Sequence, residues 1–183
     1  MKCFFILVLP LFVGCGSVTE PAPLNADLFS PNYVNNLNHG RQWSNPNITV
    51  HLRSTAGRDL SSPFSAAKGS WEAQYGSLFT LTPSNSTEAS VLVVLVPGGS
   101  LGGSTVGLTT ITYRSSDARI LNAEIELDSS LDETLLTQVL AHELGHALGI
   151  DGHSPYGDDV MFPQAHLPLA ITERDRKDRK SVV

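Results

Sequence analysis

Thiol chemistry is nearly absent from this chain. Of its 183 residues two are cysteines, Cys3 and Cys15. Both lie at the extreme N-terminal end, so the body of the chain can form no disulfide and offers no thiolate to a metal. Long apolar runs are missing too: the greasiest stretch, Cys3 to Val13, falls well short of the ~20 residues that a bilayer-spanning helix needs. Positive charge is scarce, with 12 Lys and Arg against 18 Asp and Glu for a net charge of −6. No basic patch stands outside the run Arg174 to Lys180, which excludes nucleic acid as a partner. The glycine-rich stretch Gly98 to Gly107 has no lysine before a Ser or Thr, so it is not a phosphate-cradling loop.

What the chain does have is a graded organisation. Lys2 followed by the apolar run to Val13 reads as a signal peptide over residues 1–14. Leu11-Phe12-Val13-Gly14-Cys15 resembles a bacterial lipoprotein signal cleaved before Cys15, and an ordinary secretory signal is the alternative. The resemblance implies lipid on Cys15, export across the cytoplasmic membrane and anchoring at a membrane surface. Gly16 after the cysteine implies the outer membrane or cell surface rather than the inner one. Residues 15–40 are rich in Pro, Asn and Ser and read as a tether. A short pro-segment is the alternative, with His39 and Asp27 as weak metal-blocking candidates.

A single domain is expected over residues 41–183. Ile48 to Leu52 alternates as a half-buried strand does, and Val91 to Val96 is a continuous apolar strand of the buried kind. Phe79 to Thr82, Thr109 to Arg114 and Ile120 to Leu127 complete a sheet of about five strands. A helix starts at Ser62-Pro63, with Phe64, Ala67 and Trp71 as its apolar stripe. Glu124, Glu126 and Asp128 share one strand face, read as solvated rather than calcium-binding. Thr172 with Asp175 starts a short terminal helix whose charge run lacks an apolar stripe.

The most informative stretch is His142-Glu143-Leu144-Gly145-His146-Ala147-Leu148-Gly149-Ile150-Asp151-Gly152-His153-Ser154. A helix opened by Asp132-Glu133 runs into it, with Leu135, Leu136, Val139, Leu140 and Leu144 as core positions. Histidines four apart on a helix project from one face, so His142 and His146 can share a tetrahedral Zn²⁺. Glu143 then sits beside the metal without ligating it and can accept a proton from water. Gly149 ends the helix where a positive φ is needed, and the chain can turn back to bring a third ligand under the metal. Imidazole is the commoner catalytic zinc ligand, which favours His153 over Asp151. Asp151 is then a turn residue or a partner of a ligand.

These residues resemble the metzincin zinc signature, and in particular the bacterial matrixin-like metalloproteases. Asp159-Val160-Met161-Phe162-Pro163 resembles the family's Met-turn. The usual spacing would put the third ligand at Gly152, so this chain departs by one residue, which a bulge after Gly149 would absorb. The resemblance implies an α/β metzincin-like domain: a twisted, mostly parallel sheet, two long helices, a Met-turn and a short C-terminal helix. It implies a monomeric zinc endopeptidase acting on protein or peptide substrates, with Glu143 as catalytic base, His142, His146 and His153 on Zn²⁺, and Met161 beneath them. One sheet edge would pair with the extended substrate. The vertebrate family's calcium and structural-zinc residues are not matched. A zinc-bearing lipoprotein that binds partners without cutting, and a hydrolase of non-protein amides such as cell-wall crosslinks, are the alternatives. The intact Glu143 speaks against the former.

Overall fold

The computed structural model describes residues 41–54, 57–76, 78–164, 171–173 and 175. The predicted signal peptide, Cys15, the tether and the charged tail apart from Asp175 therefore lie outside the described residues. Six strands and two helices follow in the order β1 (Gln42–Trp43), β2 (Asn47–Ser54), α1 (Ser61–Tyr75), β3 (Thr80–Pro83), β4 (Val91–Val96), β5 (Gly107–Arg114), β6 (Arg119–Asp128) and α2 (Glu133–Ala147). The fold is α/β with a mostly parallel sheet, one strand richer than the expected five because two-residue β1 pairs with β6.

The strand order is β1-β6-β4-β2-β3, with β5 on β6. Every pairing is parallel except β5 with β6. β5 runs along one flank of β6 from Gly107↔Leu127 to Arg114↔Arg119, so β1 and β4 share the other flank end to end. β4 is central and paired on both sides, and Val93 and Leu95 are wholly buried in it. That is why it reads as an unbroken apolar run rather than an alternation.

Both helices pack on the sheet and on each other. The predicted stripe of α1, Phe64, Ala67 and Trp71, is buried, and Tyr75 continues it. Trp71 stacks on Tyr75 at 5.8 Å between ring centroids and donates its indole N–H to the Ala141 carbonyl of α2 at 2.8 Å. The indole's two ends thus meet different needs: the rings bury apolar area and the N–H finds an acceptor. Asp132 caps α2 by accepting from the Leu135 amide at 2.8 Å. The helix ends in a Schellman motif: Gly149 N–H reaches His146 O, Ile150 N–H reaches Gly145 O, and Gly149 takes φ +107°.

The three carboxylates of β6 do not share one fate. Glu124 is exposed and Glu126 half-buried, but Asp128 is buried at the strand end. It accepts from the Gly99 amide at 2.7 Å and from the amide and hydroxyl of Ser130. These bonds hold its carboxyl below the ordinary range, the Ser130 hydroxyl contributing most. It fastens the glycine-rich turn to the end of β6 rather than facing solvent. Gly107, read from sequence as the end of that loop, is the first residue of β5.

Trp71 joins α1 to α2 directly beneath the His142 turn. Trp71→Ala should cost about 3–5 kcal/mol in chemical denaturation, far more than any exposed substitution on α1.

Candidate metal centre

His142 and His146 lie one turn apart on α2, both buried, and His153 returns on the following loop. The imidazoles form a near-equilateral triangle, with centroids 4.8 Å apart for His142–His146, 5.1 Å for His142–His153 and 5.0 Å for His146–His153. One nitrogen from each lies within 4.8 Å of the others. The tautomers follow from the partners. His142 Nδ1 lies 2.8 Å from the Val160 carbonyl, and His146 Nδ1 lies 2.6 Å from the Ile150 carbonyl. A carbonyl only accepts, so each Nδ1 carries a hydrogen, and in the neutral ring Nε2 presents a lone pair.

Those two Nε2 atoms face one another at 3.1 Å, and His153 Nε2 is buried with no partner. Burial holds His146 well below the usual imidazole range, aided by His142 and His153, and brings His153 down to about 4. Neutral imidazoles with converging lone pairs are the donor set of a tetrahedral zinc site with one open position. The residues fit the ion.

Asp151 stands apart from this triangle. Its carboxylate pairs with the Arg41 guanidinium, both side chains nearly inaccessible. Arg41 in turn lies 4.2 Å over the Tyr113 ring. Burial raises the Asp151 carboxyl, and Arg41 pulls it back. Two residues on, Trp43 donates its indole N–H to the Ala147 carbonyl at 2.9 Å. The entry segment of the domain is therefore clamped to the turn between the second and third histidines.

Met161 is fully buried and packs against the helix that carries both histidines. A Cβ added at Gly145 would overlap Met161 Sδ and approach Trp71 Cζ2 to 2.9 Å. Gly145 thus lets the turn of Met161 press against the helix carrying both histidines. That turn is held from the far side by Asp175, whose carboxylate accepts from the amides of Val160 at 3.2 Å, Met161 at 3.3 Å and Thr172 at 2.9 Å. Asp159 is also wholly buried, taking the hydroxyls of Ser154 and, at 2.6 Å, Thr172. The predicted cap is present: Thr172 Oγ1 also accepts from the Asp175 amide at 3.3 Å. Tyr75 donates its hydroxyl to the Asp175 carbonyl at 2.9 Å, tying α1 to this end of the chain.

Glu143 is entirely buried, and burial pushes its carboxyl up to about 8 while the Thr109 hydroxyl restrains the shift. Thr109 donates to Oε2 at 2.5 Å, and Oε1 has no partner. The structure thus brings together His142, His146, His153, Glu143 and Met161. Sequence reasoning missed Arg41 and Thr109 as parts of the surroundings, and it did not connect Asp159, inside the predicted Met-turn, or Asp175, in the predicted helix start, with each other.

Asp175 is raised from 3.8 to about 6, because burial disfavours its charge and Asp159 lies close. A folded-state pKa above the unfolded one gives stability that is full below pH 3.8 and is lost as pH rises through about 6. Asp175→Asn, which cannot titrate, should therefore lose on the order of 2–3 kcal/mol more relative to wild type at pH 4 than at pH 7.5. Thermal unfolding of both proteins across that range measures it.

Residues 71–182 match the family model described as Matrixin. No curated protein matches the chain.

Proposed function

Because the chain belongs to the matrixin family of peptidases, we propose that it is a zinc-dependent endopeptidase with His142, His146 and His153 as metal ligands and Glu143 as the proton-transfer group. The observation that carries this reading is the pairing of three converging imidazoles with a buried carboxylate on the same helical turn, one of whose oxygens is unpartnered. A metal-binding module that cuts nothing has no use for that carboxylate, whose burial opposes its charge.

His142, His146 and His153 would hold Zn²⁺, which when bound would supply Lewis acidity toward a water and an amide carbonyl. Everything else falls to the chain. With that ion in place Glu143 would be held in its ionised form, and its carboxylate would then work as a base near neutral pH. Oε1 takes the proton of the attacking water and passes it to the departing amine nitrogen, while Thr109 keeps Oε2 occupied. The carbonyls of Val160 and Ile150 orient two of the ligands through their Nδ1 hydrogens. Met161 closes the floor and excludes water from below.

β5 supports a place for the substrate. Among the described residues it pairs on one flank only, with β6, and Thr109 on it touches Glu143. An extended peptide adding to the open flank would lie beside the reacting groups. The lipoprotein-like run before Cys15 supports an extracytoplasmic, membrane-tethered place of action.

The test is zinc content beside cleavage of an unstructured protein such as casein. One zinc per chain is expected, with Glu143→Ala retaining zinc and losing at least about 10²-fold in turnover. His153→Ala should lose the metal and Asp151→Asn keep it; the reverse pattern would move the third ligand to Asp151. Zinc without proteolysis would remove the endopeptidase reading, and release from cell-wall fragments would replace the substrate class.

A further inference from the structure

Two residues of β5 shape the space that Glu143 occupies. Thr109 is 2% exposed, and its Oγ1 lies 2.5 Å from Glu143 Oε2 and 3.2 Å from the Glu143 carbonyl oxygen. A buried hydroxyl must find a partner, and this one finds both within a single residue of another element. Gly107, on the same face of β5, provides the room. A Cβ there would stand 2.5 Å from Val139 Cγ1, 2.6 Å from Glu143 Oε1 and 3.0 Å from its Cγ. Any larger residue would push the carboxylate out of its slot.

We propose that Thr109 is a positioning residue for Glu143: its hydroxyl fixes Oε2 against β5, so that Oε1 alone is presented for proton transfer. The inference rests on the role given to Glu143 above. The terminal torsion of a glutamate is broad and two-fold, so an untethered carboxylate swaps its oxygens and wanders. One short bond to Oε2 removes that freedom, and Gly107 makes the bond reachable. Because Thr109 lies on the strand with the open flank, a peptide seated there would meet a base already in register.

Thr109→Val keeps the shape and removes the donor; Thr109→Ser keeps the donor. With the zinc-loaded protein and a peptide substrate, Thr109→Val should lower kcat by about 10- to 100-fold, with KM and zinc affinity within about twofold. Thr109→Ser should recover most of the lost turnover. Wild-type turnover in Thr109→Val, equal slowing in Thr109→Ser, or a loss confined to KM would overturn the proposal. Glu143→Ala in the same assay separates the two readings: if it cleaves like wild type, the proposed function fails, whatever Thr109 does. A second measurement needs no activity. In metal-free protein, the Tm losses of Thr109→Val and Glu143→Ala should be non-additive in the double variant, by on the order of 3–10 °C. Additive losses would sink the tie itself.

Discussion

Three imidazoles drawn into one close triangle, two of them buried, form the constraint on which the rest of this domain depends. Left alone, such a cluster would turn its rings outward or take up protons. Here the Val160 and Ile150 carbonyls fix two of the rings through Nδ1, and burial keeps charge off His146 and His153. Each carbonyl is held by something else in turn. Ile150 belongs to the Schellman ending of α2, made by Gly149, and Val160 belongs to the turn gripped by Asp175. The orientation of a ring is therefore inherited from backbone fixed two steps away.

The same dependence explains why two glycines occur where they do. Gly145 admits Met161 and Trp71 to one side of α2, and Gly107 admits Val139 and Glu143 at another. α2 is thus squeezed between the Met161 turn, α1 and β5, with no room for a methyl group at either contact. Close packing of this kind leaves side chains few alternative rotamers, which is what a site built from several elements requires.

Much of this was legible in the sequence. The spacing of His142, Glu143 and His146, the turn at Gly149 and the buried stripe Phe64-Ala67-Trp71 are local patterns. Local geometry suffices to place them. The choice between Asp151 and His153 was open because Gly152 shifts the spacing by one residue. In the structure Asp151 pairs with Arg41, a partner 110 residues away, while His153 joins the other two histidines. Asp128 alternated with Glu124 and Glu126, and only the bend of the chain after β6 explains why it turns inward. Thr109 read as one more β-branched strand residue, since its bond to Glu143 crosses from strand to helix. Two-residue β1 carried no periodicity at all.

The order in which the chain is made gives these long connections a further meaning. A polypeptide emerging N-terminus first has His142 and His146 on a helix before Asp175 exists to hold the turn that orients them. Arg41, by contrast, has waited since the beginning for Asp151. Docking contacts so distant in sequence form late, because chain ends must be brought together before the contacts repay the entropy. The surroundings of the histidine triangle are thus closed by segments remote from it in sequence, so the centre is completed after the helix that carries two of its members rather than with it.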